Sequence, residues 1–568
     1  TWVSSSVEGS GQRIGGLVGY HAAGSLTNAE MTGSVTGWVT NGSTNFSGTY
    51  TGGITGYSSP GITYSRYAGS LIKGGERTGG IVGQIDTTMS NVIASGQVLG
   101  GGSYVGGIAG YGRRIQDAVS TADIFGQSNF VGGLAGQADS GIYDSSASGQ
   151  VSGHINGSGL NFAGTYVGGL VGYSNNVIRN SHATGSLVKG GHQTGGLVGH
   201  TDNHVYDSYA TADVETNSSY SGGLVGLSHQ IIYDSYATGD VTTNNAYSGG
   251  LGGYVRAIYD SYATGNVTST SSYVGGLAGV LQVADNAYAT GTVSGSSYVG
   301  GFVGEQQGGG TVSDSYATGA VTSNGSQVGG FAGRINGAIS NSFANGSVVG
   351  STYTGGFVGY QNSGSIINSF TNGDVSAIGD YVGGFVGYQN SGRITNTSST
   401  GSVYTPAKNY VGGFVGQSNG TITDSTVVIS TVNETSGFGV FGHSFIGGFS
   451  GYNQGAISNS TATASIKGQA STGGFVGRKV AGTISSSGAF GSVTGTNAVG
   501  GFAGRVDAGT ISSSYSNSLV VGSSTDATTF VGGFVGYLDN GAITTSRAAG
   551  AVSGSYRVGG FVGSMFGS

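Results

Sequence analysis

The side chains able to do acid–base or metal chemistry are sparse in this chain. Its 568 residues hold 25 acids, 18 Lys/Arg, eight His and no Cys. Without Cys there is no disulfide and no thiolate metal site. The histidines, among them His182, His192, His200, His204 and His229, do not form a His-Glu-x-x-His pattern. His200 and His204 are four apart, a spacing that converges ligands only on a helix, and no stretch carries a 3.6-residue apolar period. Seven of the 25 acids occupy one recurrent place, the residue before a recurring Ser. That place is Asp or Asn in 15 of 19 occurrences, for example Asn28, Asp117, Asp144, Asn180, Asp207, Asp234, Asp260, Asn286, Asp314, Asn341, Asn368 and Asp424. Asn and Asp tolerate bent backbone, which predicts a ladder of corners. The other reading is a file of calcium ions. It is the weaker one, because the Gly-Gly-x-Gly-x-Asp calcium repeat is absent and half the ladder is neutral Asn. The expectation is therefore no catalytic residue, no cofactor, no metal and no enzyme.

One binding surface is suggested. Tyr206, Tyr209, Tyr233, Tyr236, Tyr259, Tyr262, Tyr288 and Tyr316 flank those corners at regular spacing. Stacked repeats would align them into aromatic columns, suited to sugars or protein partners. Stacked tyrosines also stabilise neighbouring strands without binding anything. A regular Thr column exists (Thr211, Thr238, Thr264, Thr290, Thr318), but ice binding would need two.

What must position these residues is a repeat. Gly-Gly-(Leu/Ile/Phe)-(Val/Ala)-Gly occurs twenty times, three of them with Thr55, Gly252 or Ser450 at the fourth place, its first glycine running from Gly15 to Gly559, most often 27 residues apart. Such a period over the whole chain marks a solenoid. With 120 Gly but only two Pro, collagen is excluded. Apolar residues are phased with the repeat, unlike a disordered chain. Charged residues are 8% and net charge is −7, with no basic stripe for nucleic acid. No apolar run is long enough for a membrane span. The chain opens at Thr1-Trp2 with no signal-peptide pattern, and reads as a processed protein or an excised segment.

Residues 249–275 show one unit: the glycine box with its flanks, then Ile258–Ala263, then a piece around Val267. These predict an all-β parallel β-solenoid (β-helix) of about twenty coils, three short strands each, every strand pairing with its equivalent one coil away. Inward positions are the apolar column Ile142, Ile178, Val205, Ile232, Ile258, Ile339, Ile366, Ile394, Ile422 and Ile457, the Ser after the corner, and the Ala two further on. Read as a continuous strand, the box alternates. The Leu/Phe position would then share a face with the outer glycines, and the other face would be a flat strip of Gly and small apolar residues. Left bare, such a strip is an unusually large apolar patch, so longer loops or a neighbouring molecule should cover it.

The expectation for domains is one solenoid over 1–568. Its boxes carry Leu or Ile in block 1–299, and Phe in block 300–568. Segments 41–50 and 70–83 reappear at 156–166 and 186–199, a duplication of four boxes. Longer steps before Gly52, Gly168, Gly447 and Gly532 predict bulging loops. Neither end looks capped, which predicts either a segment of a longer chain or head-to-tail stacking. At about 4.8 Å per coil, twenty coils would span roughly 95 Å.

The segments YVGGLVGYS (166–174), YVGGLAGV (273–280), IYDSYATGDV (232–241) and YVGGFVGYQNSG (381–392) resemble the GLUG repeat. The resemblance covers nearly the whole chain. It implies a bacterial cell-surface or secreted, adhesin-like protein, and it implies no catalytic residue. The function expected is extracellular and structural: an adhesin stalk or a filament subunit, assembling through solenoid ends or the flat Gly face. Its partners would be further copies of itself or flanking domains. The alternative is a carbohydrate- or surface-binding module using the Tyr stripe, with surface glycans as partners.

Overall fold

The computed structural model describes residues 1–37, 49–127, 129–153, 164–430, 433 and 436–566. Among them there is no helix. The chain is a parallel β-solenoid of about twenty coils, in two compact units. The first comprises Thr1–Ser271, Gly276–Leu281 and Asn286–Gly291, and the second Ser272–Gly275, Gln282–Asp285 and Thr292–Ser568.

Both units repeat one coil plan, illustrated in the first unit by β1 (Ser221–Gly222), β2 (Val225–Tyr233), β3 (Tyr236–Ala237) and β4 (Val241–Thr243). In most other coils the β2 stretch divides into two, as in Ala332–Ile335 and Ala338–Ser340. All pairing is parallel and like faces like. Gly195, Gly222 and Gly249 are in register along β1, Tyr209, Tyr236 and Tyr262 along β3, and Val214, Val241 and Val267 along β4. Twenty β1-type strands form one sheet order, and the other strands belong to a second. Pieces of two to four residues are too short to stand alone, so stacking supplies the hydrogen bonds each lacks.

The core is as the periodicity predicts. The Ile/Val column from Ile142 to Ile457, the Ala column (Ala183, Ala210, Ala237, Ala317, Ala344) and the Ser column are buried. The large box residue is also buried. It is Leu or Ile in the first unit, from Ile54 to Leu277, and Phe in the second, from Phe302 to Phe534. There Phe302, Phe331, Phe357, Phe385, Phe414, Phe449, Phe475, Phe502, Phe534 and Phe561 form one stack, with ring centroids 4.6–4.9 Å apart. Coil pitch and ring-stacking distance coincide, so each ring lies on the next without strain.

The glycine box departs from expectation. It is not one strand: the chain bends at Gly223-Leu224, so β1 and β2 fall in different sheets. Alternation across the box therefore fails. All five residues of a box such as Gly79–Gly83 are buried, so the bare strip does not exist. A Cβ on Gly222 would lie 2.1 Å from the Val225 carbonyl oxygen and 2.7 Å from Gly252 Cα. One on Gly223 would lie 2.1 Å from the Gly250 oxygen, and one on Gly226 2.5 Å from the Gly199 oxygen. The second unit repeats this at Gly329, Gly330 and Gly333. Three glycines per box let the two sheets meet backbone to backbone, where any side chain would hold them apart.

Of the longer steps, the one before Gly532 is a loop over 523–529, between Tyr515–Gly522 and Phe530–Gly532. The inserted residues 38–48 before Gly52 and 154–163 before Gly168 lie outside the described residues, as do 431, 432, 434 and 435 before Gly447.

Candidate interaction surfaces

The surface is organised by the corner between β2 and β3. Every corner residue has a left-handed backbone, among them Asp207, Asp234, Asp260, Asn286, Asn341 and Asn368, with φ between 47° and 51°. Side chains with a Cβ resist this region, and Asn and Asp resist it least. The corner also interrupts the backbone ladder, and the Ser that follows repairs it. Ser208 N–H donates to Ser235 Oγ (3.1 Å) and Ser235 N–H to Ser261 Oγ (3.0 Å). Each hydroxyl in turn donates to the carbonyl two residues back, as Ser235 Oγ does to Tyr233 O (2.8 Å). Ser315, Ser342 and Ser369 do the same in the second unit. Where an Asn follows an Asp, its amide donates across the coils: Asn286 to Asp260 (2.7 Å) and Asn341 to Asp314 (3.2 Å). The Asp234 pKa is raised, by desolvation first and then by the neighbouring carboxylates Asp260 and Asp207.

The corner geometry brings most of the expected tyrosines together. In the first unit Tyr209, Tyr236, Tyr262 and Tyr288 form a half-buried column with centroids 4.7–4.9 Å apart and planes within 2°, and His182 stacks on Tyr209. Tyr206, Tyr233 and Tyr259 run beside it, more loosely, at 6.4 Å with tilted planes. Tyr316 belongs to the second unit, where it stacks with Phe343 and Phe343 with Phe370. Stacking occupies the ring faces. What the column offers outward is ring edges and, in the first unit, a row of hydroxyls.

A second aromatic array lies outside that expectation. It joins the residue two before the first box glycine to the residue after the last one. Tyr104, Phe130 and Tyr166 stack at 4.8–4.9 Å, and Tyr111 meets Tyr104 edge-on at 6.0 Å. In the second unit Tyr353, Tyr381 and Tyr410 stack, with Tyr360 and Tyr388 alongside. Many members are themselves left-handed, such as Tyr220 (φ 64°) and Tyr247 (φ 64°), whose rings lie 4.8 Å apart. For a bulky residue that backbone costs about 1–2 kcal/mol. Stacking of this kind returns about 0.5–1.5 kcal/mol. Tyr57, Tyr111 and Tyr173 each donate a short hydrogen bond to Asp86, Asp139 and Asp202 of the next coil. Burial, then the bond to Asp139, pushes the Tyr111 pKa up to about 12. The sequence signal is the recurring Tyr on both flanks of the box, legible only once the box is known to bend.

The histidines lie in or beside these arrays. His204 sits against Tyr206 and accepts the Ile231 N–H (3.2 Å). His200 pairs with Asp202 (Nε2 to Oδ1, 3.0 Å) and lies beside His229 of the next coil, ring centroids 6.0 Å apart. Burial lowers the pKa of His182, His192 and His200. In the second unit Lys479 is fully buried, donating to the carbonyls of Ala481 (2.6 Å) and Gly482 (2.9 Å), and burial lowers its pKa to about 8.

These features define a class: a tandem-repeat β-solenoid whose recurring residues serve packing between neighbouring coils. Seven stretches of the repeat, residues 10–36, 163–188, 190–215, 217–242, 295–322, 379–404 and 442–467, match the GLUG motif, so the chain carries GLUG repeats along its length. No curated protein and no solved structure matches it. Among the described residues, no helix is long and apolar enough to cross a membrane.

Proposed function

We propose that this chain is an extracellular structural protein, a stalk module of a bacterial surface adhesin or a filament subunit, and not an enzyme. One observation carries the reading. Gly, Ser, Asx, Ile and Phe, the residues that recur, are spent on contacts between one coil and the next. A catalytic chain keeps some unique residues converging on a pocket. The GLUG resemblance supports the bacterial surface setting, and a charge content of 8% suits a body built on neutral hydrogen-bonded ladders. The partner proposed is another copy of the chain. The glycine face takes no part, because its own sheets bury it.

Protease shaving of intact producing cells, with immunogold labelling, tests the location: the protein should be labelled and removed from outside. A pool confined to the cytoplasm refutes the reading. Electron microscopy of the purified chain separates the two structural roles. Filaments support the subunit role, and isolated particles at high concentration refute it.

A second reading rests on the Tyr209–Tyr288 column. Its hydroxyl row repeats at the coil pitch and would suit a periodic ligand such as a polysaccharide. Glycan binding lost in a Tyr236→Ala/Tyr262→Ala double variant supports this, and binding that survives it refutes it.

A further inference from the structure

We propose that His200, Asp202 and His229 form a site for one divalent transition-metal ion of the zinc class, clipping two neighbouring coils of the first unit. The coil register makes the site. Thr201 pairs with Ser228, so the residues that follow each of them, Asp202 and His229, meet across the coil boundary. His200, two residues before Asp202, projects to the same place. One ligand atom from each of the three lies within 4.8 Å of the others.

The surroundings hold these groups as a metal site would need. Tyr173, one coil earlier, donates to the second oxygen of Asp202, fixing the carboxylate as an outer-shell partner does. Tyr166 and Tyr173 flank the His200 ring at 5.7 and 5.4 Å, and Tyr254 flanks His229 at 5.8 Å. The His200–Asp202 bond alone would make an ordinary surface pair. It leaves unexplained why a second imidazole is brought against it, and one ion answers that.

The donor set selects the ion. Two imidazoles and a carboxylate suit zinc and its neighbours, whereas calcium and magnesium take six or more oxygens. Bonds of about 2.0–2.2 Å need the ligand atoms closer than 4.8 Å, and the exposed His229 can swing to close the triangle. The fourth position faces solvent, which suits a water.

The test uses the full chain without a polyhistidine tag, stripped with chelator, and titrated with Zn2+ at pH 7.5 by calorimetry and with Co2+ by visible absorption. The expected result is one equivalent of metal, tetrahedral Co2+ bands, and a higher unfolding temperature with Zn2+. His229→Ala and Asp202→Asn, both exposed positions, should weaken binding about tenfold or more and abolish the thermal shift. Tyr173→Phe should weaken it about tenfold through the carboxylate. Millimolar Ca2+ or Mg2+ should not compete. His229→Gln serves if His229→Ala misfolds. Absence of binding overturns the proposal, and so does stoichiometric binding that both His229→Ala and Asp202→Asn retain.

Discussion

Replacing the second glycine of one box, Gly223→Ala, tests how the coils are held together. The new Cβ would lie 2.1 Å from the Gly250 carbonyl oxygen and 3.0 Å from Ala237 Cβ. The nearer atom is backbone, so no side chain can turn away. The coils must part by about 0.9 Å to bring that contact to 3.0 Å, the shortest that Cβ atoms tolerate. That motion breaks the bonds across the gap: Gly223 N to Gly249 O (3.3 Å), Leu224 N to Leu251 O (2.9 Å) and Val225 N to Leu251 O (2.9 Å). Overpacking costs about 1–3 kcal/mol, and each buried backbone group left unpaired about 1–3 kcal/mol. With one or two such groups unpaired, these terms sum to about 2–9 kcal/mol, their middle values to roughly 3–6 kcal/mol. Gly560 is the control. It holds the same place in its box, yet a Cβ added there would meet no atom within 4 Å. Gly560→Ala should leave stability unchanged, or raise it by up to about 1 kcal/mol. Hydrogen exchange read by mass spectrometry reports locally, as a chain of nearest-neighbour contacts requires. Protection over 222–225 and 249–251 should fall by two to four decades in Gly223→Ala, at about 1.4 kcal/mol per decade. Protection equal to that of Gly560→Ala refutes the backbone-to-backbone account.

Three further predictions concern the corner and the histidines. Ser235→Ala leaves the Ser208 N–H, now bonded at 3.1 Å, without its acceptor, and should lower stability by about 1–3 kcal/mol in denaturant titration. Asn341 has φ 50°, so Asn341→Val should cost about 1–2 kcal/mol, whereas Asn341→Gly should stay within about 0.5 kcal/mol; equal effects would contradict the left-handed corner. His182, His192 and His200, all in the first unit, have folded pKa values below 6.5 because burial disfavours the cation. The unfolded chain therefore takes up these protons first. Their contribution is present above pH 6.5 and is lost as pH falls through the lower folded values. Thermal unfolding in chelator at pH 7.5 and 5.5 should show that loss in the wild type, and a triple His→Gln variant should flatten it.

Much of the fold is legible because the repeat compares itself. Ile142 through Ile457, the Ala column and the corner Asx each recur at one place, and side chains one coil apart must share an environment. The box misleads because the alternation rule assumes an unbroken strand, and nothing at Gly223-Leu224 marks a bend. The clue lies in the glycines themselves: no Cβ at three of five positions leaves room for backbone on both sides. The tyrosine columns can be foreseen, but their faces are mutually occupied, which changes what they can offer a ligand. His200 and His229 escape a search at helical spacing, because their separation of 29 residues is a coil spacing.

Single-molecule force extension of the full chain tests the structural role most directly. If each coil is held by its neighbours, pulling should release coils in sequence. Increments should be about 90 Å of contour length, from 27 residues at about 3.5 Å each less the coil rise. Release of either unit in one undivided event, with no steps of coil size, would contradict the account.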